Sequence, residues 1–230
     1  MTNLASSFNA VRKRMAGAAR RTNRSPEEVR LIAVSKSVDI DMVKRAQTEC
    51  GQQLFGENRA DELVRKVEAC EDADFHYIGP LQTNKVRKVV GNASLIHSVD
   101  SMRLLRAIDA RAQLKGIVQP VLIQVSISGE DAKQGIEPVQ LDALLHLANS
   151  ELSSVQVNGL MTMAPFAPQE DVRWIFEGLR ELRDKSDHDG PRVSLRELSM
   201  GMTGDFEAAI EEGATLVRLG SALFADTNNS

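Results

Sequence analysis

The feature that most restricts the fold is a regular alternation in which short apolar runs of strand length are followed, eight times, by a stretch with helical spacing or a helical turn. The runs are Arg30 to Lys36, Gln53 to Glu57, Phe75 to Gly79, Leu95 to Ser98, Pro120 to Ile127, Val155 to Met161, Leu195 to Ser199 and Thr215 to Leu219. Most are rich in Leu, Ile and Val and show no strict polar alternation, the pattern of strands buried on both faces of a parallel sheet. Parallel strands need crossovers, and right-handed βα units either open into a doubly wound sheet or close into a barrel. Eight units in 230 residues favour closure, and no GxGxxG loop follows the first run, where a dinucleotide fold would place one. The expected fold class is α/β, a single-domain (β/α)8 TIM barrel over residues 1–230.

The intervening segments fit this plan. Val172, Ile175, Phe176, Leu179 and Leu182 mark an amphipathic helix that Gly190-Pro191 breaks, and Gly51 and Gly213 end two others. Residues 1–24 carry Arg but no Asp or Glu, with Leu4, Phe8, Val11 and Met15 on one stripe. A transit peptide reads similarly. A packed first helix is preferred, because Ser25-Pro26-Glu27-Glu28 follows at once as a capping box leading into the first strand. The tail from Asp226 to Ser230 is expected to fray.

Composition narrows the functional classes. A net charge of -4 gives no electrostatic case for nucleic acid or an anionic membrane, and no run is long and apolar enough to span a bilayer. Two cysteines, Cys50 and Cys70, outside any CxxC pair suit a reduced cytoplasmic protein. The four histidines lack ligand spacing, so no metal is expected.

The first run ends on Lys36, and alternation puts Ile32, Val34 and Lys36 on one face. An amine partly stripped of water there is easier to deprotonate and can form a Schiff base with an aldehyde. The alternative is a solvated lysine capping a strand. In a barrel, phosphate groups bind at the loops after the seventh and eighth strands. Those loops read Ser199-Met200-Gly201-Met202-Thr203-Gly204-Asp205 and Leu219-Gly220-Ser221-Ala222, rich in glycine and hydroxyls. Arg218, in an otherwise apolar last strand, is either paired with a carboxylate such as Glu57 or Glu197 or donates to a ring nitrogen of a ligand whose phosphate rests on Gly220-Ser221. Among Met161, Met163, Met200 and Met202, most are expected to fill the barrel, with Met161 taken as a contact to an aromatic ring. An amine, a phosphate cradle and a ring-nitrogen partner together describe pyridoxal 5'-phosphate.

Phe75-His76-Tyr77-Ile78-Gly79-Pro80-Leu81-Gln82-Thr83-Asn84-Lys85, with Ala33-Val34-Ser35-Lys36, Phe55-Gly56-Glu57-Asn58 and Leu198-Ser199-Met200-Gly201-Met202, resembles the pyridoxal phosphate homeostasis protein family over nearly the whole chain. The resemblance implies a barrel like the N-terminal domain of alanine racemase, with Lys36 as the Schiff-base lysine and Arg218 facing the pyridine nitrogen. It also implies that Ser199, Gly201, Thr203, Gly220 and Ser221 surround the phosphate and that Asn58 and His76 lie near the ring. Departures from the family pattern fall at Arg59, at Val125-Ser126-Ile127 and at Ser221, where a commoner threonine is replaced with its hydroxyl kept. The implied function is intracellular buffering and delivery of the cofactor to pyridoxal-dependent apo-enzymes, without turnover. The alternatives are a pyridoxal-dependent racemase and a Schiff-base aldolase acting on a sugar phosphate. The racemase needs an acid/base on each face of the substrate, and the only tyrosine, Tyr77, lies inside the third strand. Lys133, in the loop from Ser128 to Gly135, is the substitute lysine if Lys36 does not carry the cofactor.

Overall fold

Apolar runs with no polar face must be covered on both sides, and the chain achieves this by closing its sheet into a ring. The computed structural model describes residues 4–129, 135–165, 168–186 and 190–225. In order, the elements are α1 (Leu4–Arg21), β1 (Arg30–Val34), α2 (Ile40–Cys50), β2 (Leu54–Glu57), α3 (Ala60–Ala69), β3 (Asp74–Tyr77), α4 (Val86–Val89) and β4 (Leu95–Val99). They continue with α5 (Met102–Lys115), β5 (Gln119–Gln124), α6 (Leu141–Glu151), β6 (Val155–Met161), α7 (Gln169–Lys185), β7 (Val193–Ser199), α8 (Phe206–Glu211), β8 (Leu216–Leu219) and α9 (Ser221–Phe224). The eight strands pair in chain order, all parallel, and β8 returns to β1 to close the barrel.

All eight expected strands are present, with no end displaced by more than three residues. β1 stops at Val34, so Lys36 stands in the turn beyond it. The Ser25 capping box is formed, Glu28 accepting the Ser25 N–H at 3.0 Å, but it heads a single 3-10 turn that feeds β1. The N-terminal stripe is packed, with Leu4, Phe8, Val11 and Met15 of α1 all buried. The tail 226–230 and Lys133 lie outside the described residues.

Alternation along each strand divides the core in two. Leu31 and Ala33 face outward into the large shell between barrel and helices, while Ile32 joins Leu95, Leu122, Met161 and Leu216 in a small cluster inside the ring. Met161 is thus barrel filling, 1% exposed. β6 and β7 approach so closely at Gly159 that a Cβ there would stand 1.9 Å from the Glu197 carbonyl oxygen, and only glycine fits.

One ion pair interrupts the apolar outer shell. Lys66 on α3 and Glu57 at the end of β2 are both essentially inaccessible, with Nζ 2.7 Å from Oε2. Lys66 Nζ also donates to the Ser35 carbonyl at 2.6 Å, and Glu57 Oε1 accepts the Asn58 N–H at 2.8 Å. The pair therefore ties together the ends of β1 and β2, next to Lys36 and Asn58. Removing one partner leaves the other charge buried and alone, which costs far more than an exposed pair contributes. Lys66→Met is expected to lower the unfolding free energy by about 3–5 kcal/mol in urea titrations, with Glu57→Gln in the same chain restoring part of it. A single variant within about 0.5 kcal/mol of wild type would contradict this role.

Candidate functional site

Closure of β8 on β1 pairs Ile32 with Arg218 and Ala33 with Leu219, so the residues that follow both strands meet at one mouth of the barrel. A cavity of about 820 Å³ opens there. Lys36, Ser37, Asn58, Gln124, Arg218, Gly220 and Ser221 line it together with the Met202 to Asp205 loop, and Val34, Val38, Ile78, Met163 and Phe224 supply apolar wall. These are C-terminal strand ends, where barrels carry their chemistry.

Lys36 makes no hydrogen bond or ion pair among the described residues and is exposed, which corrects the expectation of a water-stripped ammonium. The reason is geometric: with β1 ending at Val34, the turn lifts Lys36 to the rim, where Val34 and Val38 flank it without covering it.

Arg218 is 5% exposed and forms neither of the ion pairs considered for it, since Glu57 is taken by Lys66 and Glu197 by Arg30 at 2.6 Å. Its Nη1 donates to Ser199 Oγ at 2.6 Å and its Nη2 to the Thr162 carbonyl at 2.9 Å. Burial lowers its pKa to about 10, with Asp205 acting in the opposite direction, so it is cationic at neutral pH. Asp205 is itself mostly buried, and burial raises its pKa against the Met202 N–H, which donates to Oδ1 at 2.6 Å, and the Arg218 charge. A guanidinium without a carboxylate salt bridge is a cation available to a ligand.

Across the same mouth, Ser221 Oγ donates to Thr203 Oγ1 at 3.1 Å, joining the loops after β7 and β8. The backbone N–H groups of Thr203, Gly204, Ser221 and Ala222 have no acceptor among the described residues, and a Cβ on Gly204 would meet nothing within 4 Å. Clustered free N–H donors and hydroxyls beside open space form an anion cradle.

Of the residues expected around a cofactor, Lys36, Asn58, Thr203, Arg218, Gly220 and Ser221 line the cavity. Ser199, Gly201, His76 and Met161 do not. Ser199 pairs with Leu216, one layer below Arg218, and its hydroxyl is spent on Arg218 and His97. Gly201 has φ 92 and packs under α8, where a Cβ would lie 2.6 Å from that of Ala209, so its glycine serves packing. His76 lies deeper, its Nδ1 2.9 Å from His97 Nε2, and His97 Nδ1 is 2.8 Å from Ser199 Oγ. Gln124 and Asp205 escaped sequence reasoning. Gln124 carried a signal, a polar residue two positions beyond the inward Leu122.

Comparison with known proteins identifies the fold and the family. The family described as "Alanine racemase, N-terminal domain" matches residues 7–228. The pyridoxal phosphate homeostasis protein of Aquifex aeolicus is 44% identical over 222 residues, covering 95% of this chain and 96% of that protein. A structure of PipY from Synechococcus elongatus with PLP bound aligns with a TM-score of 0.79 and 35% identity, over 93% of this chain and 99% of that one. An alanine racemase of Clostridium difficile shares the fold, with a TM-score of 0.71 at 12% identity over 95% of this chain and 56% of that one.

The buried imidazoles make stability depend on pH. Burial lowers the pKa of His76 from 6.5 to about 4 and that of His97 well below its usual value, with the neighbouring His76 and the Arg218 charge adding to the effect at His97. In the unfolded chain both histidines bind protons from about pH 6.5 downward, so between 6.5 and 4 the unfolded state holds more protons. The stability of the neutral pair is complete above about pH 6.5 and falls as pH drops through that window, by a few kcal/mol. Denaturant midpoints measured from pH 7.5 to 4.5 should decline for wild type and more shallowly for His76→Gln. Parallel declines would contradict the assignment.

Proposed function

The chain belongs to the alanine racemase N-terminal domain family and, within it, to the pyridoxal phosphate homeostasis proteins, and from that membership we propose that it binds pyridoxal 5'-phosphate and carries it without turning over a substrate. The observation that supports this most is the donor set of one cavity: a rim amine with no partner among the described residues, an unpaired buried guanidinium, and a cradle of free N–H groups and hydroxyls. These three match the aldehyde, the ring nitrogen and the phosphate of that cofactor.

Lys36 would hold the aldehyde end of the cofactor through its amine, and the bound cofactor would supply the aldehyde and the electron-withdrawing ring. Thr203, Gly204, Gly220 and Ser221 bind the phosphate. Arg218 donates to the pyridine nitrogen but, staying protonated itself, does not readily transfer a proton to it. An unprotonated ring is a weak electron sink, which favours storage over turnover. Racemisation also needs a second acid/base facing Lys36. Besides Lys36 and Arg218, the only titratable side chain among the described lining residues is Asp205, whose Oδ1 already accepts the Met202 N–H. Tyr77 is buried outside the ring with its hydroxyl close to the Asn58 and Pro80 carbonyls. The free, buried Cys50 and Cys70 suit a reducing cytoplasm, and recipient apo-enzymes complete the reading.

Borohydride reduction of the loaded protein, followed by peptide mapping, is expected to fix the cofactor on Lys36. Lys36→Ala should lose the visible band while keeping its fold. Pyridoxal, which lacks the phosphate, should bind at least tenfold more weakly than the phosphorylated form. A variant that remains equally yellow would overturn the lysine assignment, and equal affinity for the two ligands would overturn the cradle.

A further inference from the structure

The interior of a small barrel is normally filled with aliphatic layers. Here the inside of the ring also carries His76, His97 and Ser199 below Arg218 of the cavity floor, each of the four 5% exposed or less. Buried polar groups cost stability unless every one is satisfied, and an aliphatic residue at each position would avoid that cost. The four are joined in series. Arg218 Nη1 lies 2.6 Å from Ser199 Oγ, Ser199 Oγ 2.8 Å from His97 Nδ1, and His97 Nε2 2.9 Å from His76 Nδ1.

Their donor directions follow from chemistry. A guanidinium has only donors, so Ser199 Oγ accepts from Arg218. A hydroxyl oxygen can accept twice, so the Arg218 bond alone does not orient the next link; His97 Nδ1 is, however, the only other hydrogen-bond partner of Ser199 Oγ among the described residues, and only an unprotonated Nδ1 gives the buried serine proton an acceptor. His97 therefore carries its proton on Nε2 and donates it to His76 Nδ1. The His76 proton is left on Nε2, which faces Asp74 Oδ2 at 4.0 Å at the far end of the barrel. The reverse set of donors would leave the buried serine proton without an acceptor among the described residues, and burial disfavours protonation of both rings, with the Arg218 charge adding to it at His97. Protonating His97 would turn Nδ1 into a donor toward Ser199 and leave the serine proton without its acceptor.

We propose that Ser199, His97 and His76 are positioning residues whose one-way hydrogen-bond chain holds the Arg218 guanidinium in a single orientation toward the ring nitrogen of the bound cofactor. The Thr162 carbonyl holds Nη2 at 2.9 Å, so the fork is fixed at two corners and the remaining donors point where the fold leaves them. This rests on the cofactor reading above for what Arg218 contacts, but not for the direction of the chain.

The test has two arms. In ¹⁵N-histidine spectra of the cofactor-free wild-type protein at pH 7, His97 and His76 should both be neutral with the proton on Nε2, and Ser199→Ala should move the His97 Nδ1 resonance toward that of a nitrogen without a hydrogen bond. Ser199→Thr, which keeps the hydroxyl, should restore it. A proton on His97 Nδ1, or no response to Ser199→Ala, would overturn the chain. In the second arm, Ser199→Ala should weaken binding of pyridoxal 5'-phosphate by roughly tenfold, about one hydrogen bond. The carbocyclic analogue with carbon in place of the ring nitrogen should bind wild type and variant alike. Equal losses for both ligands would reduce Ser199 to a general structural role and overturn the proposal. Wild-type protein that does not distinguish the two ligands would instead overturn the contact assigned to Arg218, and with it the purpose of the chain, while the imidazole spectra would still report its direction.

Discussion

Closure of the sheet is the constraint on which the rest depends. β8 pairs with β1 with Arg218 opposite Ile32, and this one register brings together two residues far apart in sequence, an amine on the turn after β1 and a cation inside β8. In an open sheet β1 and β8 would not pair. The glycine and hydroxyl loop after β8 arrives with them, one strand end from Lys36, and the loop after β7 reaches the same mouth through the contact of Thr203 with Ser221. The cavity is therefore a product of topology before it is a product of any side chain.

Two polar devices hold the mouth in place from below. Outside the ring, Lys66 and Glu57 join the ends of β1 and β2 to α3. Inside it, the histidine and serine series supports Arg218. Both put hydrogen-bonding groups where aliphatic side chains would fill space more cheaply, and both lie directly beneath residues that line the cavity. The apolar shell between barrel and helices supplies the stability that makes this tolerable, with α1 contributing Phe8 and Val11 to it.

Much of this was legible in the sequence, and the gaps have a common cause. The alternating pattern specified the barrel because eight two-sided apolar runs have few other ways to be covered. Lys36, Thr203, Arg218, Gly220 and Ser221 were recognisable as unusual chemistry at strand ends. Ser199 was misplaced because sequence position shows that a hydroxyl ends a strand but not how high that strand stands in the ring. The register puts Ser199 level with Leu216, a layer below the cavity floor. His76 fell short for the same reason, one strand over. Lys66 drew no notice because its charge resembles that of any solvated helix, although it follows Leu63 by three residues on the buried face of α3.

On the function proposed above, the cavity holds the cofactor by its ends and activates it little. The most direct measurement is α-proton exchange: the loaded protein is incubated with single L-amino acids in deuterated water, with chiral analysis alongside. Exchange near background and no D-isomer are expected if, as proposed, the ring nitrogen faces Arg218 and Asp205, the one titratable side chain besides Lys36 and Arg218 among the described lining residues, stays engaged with the Met202 N–H. Rapid exchange with appearance of the D-isomer, abolished in Lys36→Ala, would contradict that function and make the protein a racemase.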